Sequence, residues 1–498
     1  QSALVSVYHK DRLEPIIRIL KENDVKIYST GGTQKFIEQL DVPVTPVEEM
    51  TSYPSIFGGR VKTLHPKIFG GILHRRSDDS DMAQAREYDI PAIDMVIVDL
   101  YPFEETVASG ASESEIIEKI DIGGISLIRG AAKNFDDVLI VSSRDQYDEV
   151  KKILDENECG TTLDQRKSFA TRAFRISSQY DSAIHSYFSG AVPESSFRVT
   201  AGPSHVLRYG ENPHQQATFY GPLAELFEQL NGKELSYNNL VDVDAAVSLI
   251  EEFDETAFAI IKHTNACGVA TGTGVADAYE KAFAADTVSA FGGILVTNRT
   301  VDLEAAEKMH SLFFEILIAP DYEEDALSLL SGKKNRIILR QKEALSARKQ
   351  YKSLLNGVIE QDRDLKTDTL ADLTVVTRTV PADEQMSAMI FASKICKHTK
   401  SNAIVLANNG QMLASGVGQT SRVDALKQAI AKAKVFGFDL RGAVMASDAF
   451  FPFSDSVEIA HGEGITSVIQ PGGSVRDKDS VEFCDKNDMA MVFTGIRH

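Results

Sequence analysis

The chain has 498 residues, too many for one hydrophobic core, so roughly two to four domains are expected. Its 43% hydrophobic and 25% charged residues are ordinary globular values, and no apolar run approaches the about eighteen residues of a membrane span. A formal charge of −20 argues against a nucleic-acid binder, which would show a basic surface, and makes any local gathering of Arg, Lys and His informative. The four cysteines, Cys159, Cys267, Cys396 and Cys484, form no C-x-x-C pair. That usage fits a reduced, cytoplasmic protein better than a disulfide scaffold.

In chain order, "ALVSVY" (3–8) reads as a strand, and the next segment places Leu13, Ile16, Ile17 and Leu20 on one helical face. "KIYST" (26–30) is a second strand, followed by "GGT" and a helix. "DMVIVDLY" (94–101) and "VLIVSS" (138–143) are nearly continuous apolar runs, the mark of parallel strands covered on both faces. This predicts a parallel α/β domain. Helical patterning over 165–190 breaks at "GAVPESSFRVTAGPSH", which places a domain boundary near residue 195 and divides the chain into 1–195 and 196–498. Beyond it, "TAFAIIKH", "GGILVTN" and "EILIAP" supply strands, and "SNAIVLANNGQMLASG" a hairpin around Asn409–Gly410. Lys262-His263-Thr264 recurs as Lys397-His398-Thr399, which predicts a duplicated subdomain in the second half.

Cations gather in the first half. Thr30-Gly31-Gly32-Thr33 sits between a strand and a helix, where free N–H groups suit a phosphate. "FGGRVKTLHPKIFGG" (57–71) brings Arg60, Lys62, His65 and Lys67 into one glycine-flanked loop, and Lys10 and Arg12 follow the first strand. These positions belong to the carboxyl edge of the predicted sheet, where open α/β sheets bind ligands. Tyr101 ends a buried strand there, Asp121 precedes a Gly–Gly helix start, and Lys133 comes about three turns later. Tyr, Asp and two lysines around an anion-binding edge can transfer protons without a metal.

In the second half, "IIKHTNACGVATG" (260–272) admits three readings. Cys267 could be a thiol nucleophile with His263 as its base; His263, Cys267, Cys396 and His398 could ligate a metal; or Lys262 and His263 could be an oxyanion stabiliser and a base. The H-x-E and P-C-x-x-C signature of a zinc deaminase is absent. Adjacent strand side chains point to opposite faces, so Lys262 and His263 converge only if the strand ends at that point.

Eight stretches in order, "GGRVKTLHPKIFGGIL", "LYPF", "IDIGG", "AAKN", "LRYGENPHQ", "KHTNACG", "SDAFFPF" and the closing "RH", resemble one family. It joins 5-aminoimidazole-4-carboxamide ribonucleotide (AICAR) formyltransferase to inosine monophosphate (IMP) cyclohydrolase. The resemblance implies a methylglyoxal-synthase-like parallel-sheet domain for ring closure, followed by two cytidine-deaminase-like α/β subdomains for formyl transfer. It implies 10-formyltetrahydrofolate as cosubstrate, no transition metal, a structural potassium ion in some members, and a homodimer with formyltransferase sites at the subunit interface.

Carried over residue by residue, the resemblance assigns ring-closure catalysis to Lys62, Tyr101, Asp121 and Lys133. It assigns nucleotide contacts to Tyr8, His9, Lys10, Thr30, Gly31, Gly32, Thr33, Arg60, Val61, Thr63 and Ile122. Tyr8-His9 stands where the family often has Ser-Asp. Formyl transfer falls to Lys262, His263 and Asn402, with AICAR held by Arg208, Tyr209, Gly292, Glu315 and Arg497. Glu315 replaces an Asp. Arg422, Phe450, Ser474 and Val475 match folate contacts. With this match the acid–base reading of Lys262 and His263 is preferred to the thiol and the metal.

Overall fold

The computed structural model describes residues 1–57, 61–189, 197–199 and 201–498. The chain divides into two compact units, Gln1–Thr200 and Ala201–His498. The boundary expected near residue 195 lies outside the described residues.

In the first unit, β1 (Ser2–Ser6), β2 (Lys26–Ser29), β3 (Thr45–Pro46), β4 (Met95–Val98) and β5 (Leu139–Val141) form one sheet in the order β3-β2-β1-β4-β5. Every pairing is parallel. The apolar runs make this possible, because all four residues of β4 and all three of β5 are buried. The predicted apolar stripe packs on the sheet: Leu13, Ile16, Ile17 and Leu20 are all core residues. The order reverses between β1 and β4, so a crevice opens there at the carboxyl edge. β4 stops at Val98, leaving Asp99 and Tyr101 in that opening as loop residues.

The second unit opens with the hairpin β6 (Ser204–Val206) and β7 (Thr218–Tyr220). Then come β8 (Phe227–Asn231), β9 (Ala257–Lys262), β10 (Asn265–Thr271), β11 (Ile294–Thr297), β12 (Ile316–Ala319) and β13 (Ile337–Gln341). A separate hairpin of β14 (Lys349–Leu354) and β15 (Gly357–Asp362) follows. β16 (Thr374–Val375), β17 (Ile404–Asn408), β18 (Gln411–Gly416), β19 (Val444–Ser447), β20 (Ser467–Gln470) and β21 (Ala490–Phe493) complete the unit. One twelve-stranded sheet runs β16-β21-β20-β19-β17-β18-β10-β9-β11-β12-β13-β8.

Read from its middle outward, each half of that sheet has the same order. β10-β9-β11-β12-β13-β8 on one side matches β18-β17-β19-β20-β21-β16 on the other, joined by the antiparallel contact of β10 with β18. The duplication expected from the sequence is therefore present, but the tripeptide that suggested it is no trace of it. Lys262 ends strand β9, whereas Lys397 ends the helix Asp383–Lys397, which precedes the counterpart of β9. The two triplets occupy different topological positions.

Candidate functional site

At the carboxyl edge of the first unit, the residues after β1, β2 and β4 meet. The helix Gly31–Glu38 begins with Thr30 as its N-cap position, so the predicted Gly–Gly turn does open a helix. Gly31 has φ +57, and the Lys62 ammonium lies 3.1 Å from where a Cβ would stand, so a side chain there would displace the lysine. Lys10 Nζ donates to the carbonyls of Val7 (3.0 Å) and Tyr8 (2.6 Å), and its stem passes over Gly32. Thr33 Oγ1 ties the same helix to β1 through Val7. Thr63 Oγ1 lies 3.1 Å from where a Cβ on Gly123 would stand, which brings the Val61–Thr63 stretch to the start of the helix Gly123–Lys133. Arg60 lies outside the described residues.

Asp99, not anticipated from the sequence, organises the Tyr8-His9 turn. Its carboxylate accepts the amides of Tyr8 and His9 and lies 3.0 Å from His9 Nδ1. The Tyr8 and Tyr101 rings meet edge-on at 5.4 Å. Asp121 is buried at the start of the helix Gly123–Lys133 and accepts the Gly124 amide at 2.6 Å. Burial raises its pKa above the usual carboxylate range, although the amides of Gly124, Tyr101 and Ile125 work against that. Burial also pushes the Tyr101 phenol up, and the Asp121 charge adds to the effect. A buried carboxyl and a phenol in the same cluster form an acid–base pair suited to proton transfer. Ile122 is exposed beside them.

Four cationic residues lie apart from these contacts. Lys133 is exposed at the last position of the helix Gly123–Lys133, about 15 Å along the axis from its start. His65 is the N-cap of the helix Pro66–Leu73, its Nδ1 accepting the Lys67 amide, and Lys67 pairs with Asp89. Arg12 pairs with Asp148.

In the second unit, β9 ends at Lys262, β10 begins at Asn265, and Lys262 pairs with Asn265. His263 and Thr264, at φ 50 and 65, are the two residues of a tight hairpin loop with left-handed backbone at both positions. Asn-Gly is the usual occupant of such a loop; a His-Thr pair needs support. It comes from Asp242 on the helix Tyr237–Ile250, which accepts the Thr264 amide at 2.8 Å, and from Asn265 Nδ2, which donates to the His263 carbonyl at 2.8 Å. Burial raises the Asp242 pKa, against the pull of the Thr264 amide. Neither residue was legible as functional in the sequence. The turn ends the strand alternation, so Lys262 and His263 can serve one reactant. Lys262 Nζ donates to Phe291 O at 2.8 Å and lies 3.2 Å from the Cβ position of left-handed Gly292. Glu315, just before β12, is held by Asn239 Nδ2 at 3.0 Å.

The remaining expected residues follow the other half of the sheet. Asn402, whose Nδ2 donates to Gln419 O at 2.9 Å, precedes β17. Arg422, after β18, reaches Ser447 (3.2 Å) and Asp448 (3.3 Å). Exposed Phe450 follows β19, Ser474 and fully exposed Val475 follow β20, and Arg497 follows β21. Because the two halves join antiparallel, all these connections fall on the same sheet edge as Lys262, His263, Gly292 and Glu315. Arg208 lies between β6 and β7, stacked on Tyr209 at 4.7 Å.

The thiol reading fails on chemistry. Cys267 is buried within β10, and burial pushes its thiol up to about 12. The donors of the metal reading are engaged elsewhere: Cys396 Sγ faces Ala403 O in the core, and the His398 ring lies 2.8 Å from Glu252.

Two compact α/β units, each with a cation-lined sheet edge carrying proton-transfer groups, define an enzyme acting on anionic small molecules at two sites. A family model described as AICARFT/IMPCHase bienzyme matches residues 131–432, and one described as MGS-like domain matches residues 12–126. The bifunctional purine biosynthesis protein PurH of Bacteroides thetaiotaomicron is 59% identical over 498 residues, covering 100% of this chain and 98% of its own. The proteins of the same description from Aquifex aeolicus and Lactobacillus delbrueckii are 46% and 45% identical, each over 100% of this chain and 99% of their own. The chain belongs to the AICARFT/IMPCHase bienzyme family. It is a bifunctional enzyme of purine biosynthesis, an AICAR formyltransferase and an IMP cyclohydrolase, with an MGS-like first unit. A folate-type cosubstrate goes with the first activity.

Proposed function

We propose that ring closure belongs to residues 1–195 and formyl transfer to 196–498, with the side chains above in named roles. In ring closure, the carboxamide nitrogen of formyl-AICAR adds to the neighbouring formyl carbon and loses one proton; the formamide nitrogen loses a second as its C=N bond forms, and the former formyl oxygen leaves as water. Asp121 and Tyr101 exchange those protons. Lys62, Lys10 and the amide-rich start of the helix Gly31–Glu38 hold the nucleotide's anionic groups, with Tyr8, His9, Thr30, Gly32, Thr33, Val61, Thr63 and Ile122 around it.

In formyl transfer, His263 takes a proton from the AICAR amine as its nitrogen attacks the formyl carbon of 10-formyltetrahydrofolate. Lys262 offsets the charge on the formyl oxygen, and tetrahydrofolate departs as the C–N10 bond breaks and N10 takes up that proton. The observation that carries this reading is the His263-Thr264 hairpin loop, which frees adjacent Lys262 and His263 from strand alternation. The test assays both reactions on two variants. His263→Ala should lower formyl transfer about 10²- to 10⁴-fold and leave conversion of formyl-AICAR to IMP intact, and Asp121→Asn should do the reverse. If one substitution removed both activities from a folded protein, the two-site assignment would be wrong.

A length argument supports a homodimer with shared formyltransferase sites. Glu315 precedes β12 and Arg497 follows β21, eight strands apart in one sheet, about 38 Å at 4.7–4.9 Å per strand. One AICAR molecule cannot bridge that span, whereas a second copy can bring its β12 side to this copy's β21 side. The β14–β15 hairpin, exposed in every residue and tipped by Leu355 at 97% exposure, suits such a partner. Mixing His263→Ala chains with Arg497→Ala chains should then restore formyl transfer through one intact site per mixed dimer. No recovery after verified subunit exchange would mean that each chain holds a whole site.

The resemblance also implies a structural potassium ion. No catalytic step runs through it. Four free, buried cysteines support a cytoplasmic setting, and among the described residues no helix is long and apolar enough to cross a membrane.

A further inference from the structure

We propose that Lys119 is a further functional residue of the ring-closure site, supplying over both Tyr8 and Tyr101 a positive charge, where the sequence-matched Lys10 reaches only the Tyr8 ring. The inference rests on the assignment of ring closure to this edge of the first unit.

The Lys119 ammonium lies 5.2 Å from the centroid of the Tyr8 ring and 5.9 Å from that of Tyr101. Its main chain is anchored to the same cluster by a single phenol. Tyr180, on the helix Leu163–Ser189, donates to Lys119 O and accepts the Asp121 amide, each at 2.7 Å. Lys119 and Asp121 are thus pinned together two residues apart, and the lysine leans back over the two tyrosines. Among the described residues its Nζ has no hydrogen-bond or ion-pair partner, whereas Lys10 Nζ is engaged by Val7 and Tyr8 carbonyls. An ammonium has three donors, and these remain open to a bound nucleotide.

Ring closure gives that charge a purpose. As the carboxamide nitrogen adds, negative charge grows on the former formyl oxygen and must be neutralised until the oxygen is protonated and leaves as water. Lys62 sits on the Gly31 side, and Lys133 is at the far end of its helix. Lys119 is the described lysine whose ammonium lies over both Tyr8 and Tyr101. The groups facing it are Tyr8, His9 and Lys10 after β1, Asp99 and Tyr101 after β4, Asp121 on its own segment, and Tyr180 on the packed helix. Removing a cation from this set disfavours ionisation of both Asp121 and Tyr101, so both limbs of the pH–rate profile should move upward.

The experiment uses the full chain and formyl-AICAR, with formyl transfer by the second unit as the folding control. Lys119→Gln keeps a long polar stem without charge and should lower kcat about 10²-fold with a smaller change in KM. It should also move both limbs up by about one pH unit. Lys119→Arg should recover most of the rate and both limbs. An unchanged profile in Lys119→Gln, or an arginine variant as impaired as the glutamine one, would overturn the role of the charge. Asp121→Asn, run alongside, separates the two claims. Full ring closure in that variant would move the site elsewhere, whereas its loss together with a wild-type Lys119→Gln would remove only Lys119.

Discussion

In residues 262–264 the Lys-His-Thr triplet forms the exposed end of a hairpin, with left-handed backbone at His263 and Thr264 and the Lys262 ammonium beside Gly292. In residues 397–399 the same triplet closes a helix. The side chain of Lys397 is 5% exposed, and Glu252 takes both its ammonium (2.7 Å) and the His398 ring (2.8 Å). Among the described residues, the first triplet leaves its imidazole without a side-chain hydrogen bond and ties its ammonium only to the Phe291 carbonyl; the other spends both on a buried carboxylate. Residue identity is equal, so the difference comes from the elements before each triplet and from the neighbours those elements supply. A base needs a lone pair that no protein group has claimed, and a buried cation needs a counter-charge.

The largest effect that would sharpen this comparison is on stability. Glu252→Gln removes the nearer counter-charge of buried Lys397, leaving it Asp364 at 3.9 Å, and should cost about 3 kcal/mol by denaturant unfolding, with formyl transfer per folded molecule unchanged. Burial alone would raise the Glu252 pKa, but hydrogen bonds from His398, Lys397 and Thr367 hold it at about 2. A depressed carboxyl stabilises above its unfolded pKa and loses that contribution as pH falls through its folded value. The gap between wild type and Glu252→Gln should therefore narrow as pH drops from about 4.5 toward 2. A gap that stayed constant over that range would break the contrast between the triplets.

The smallest effect concerns the hairpin loop. Thr264 is β-branched at φ 65, so Thr264→Gly should relieve backbone strain and change stability by no more than about 1 kcal/mol in the stabilising direction. Formyl transfer should fall several-fold, because a freer loop holds His263 less firmly. A thermal melt and the formyl-transfer assay together decide this, and a faster enzyme would show that the loop's rigidity does not serve catalysis.

Some features of both sites were readable before any coordinates. The apolar runs of β4 and β5 announced a parallel sheet, the Asn409–Gly410 turn lies between β17 and β18, and Gly31-Gly32 opens a helix as expected. Lys119, Asp99 and Asp242 were not readable. Each is a single polar residue in an ordinary-looking stretch, and each acquires its role only from a partner far along the chain: Tyr180 for Lys119, Tyr8 and His9 for Asp99, Thr264 for Asp242. His65 erred the other way, because a basic residue in a glycine-rich loop looks like a ligand until the helix it caps is seen.

By itself, the sequence determined what is local or periodic: which segments are buried strands, where glycines permit a turn, which lysines and histidines stand in family motifs, and that the chain is an acidic α/β protein of more than one domain. Tertiary structure alone decided which charges remain available. Periodicity carries burial, but the availability of a proton or a cation depends on contacts between residues far apart in the chain. That is why two identical triplets in one unit end as a candidate catalytic pair and a buried salt bridge.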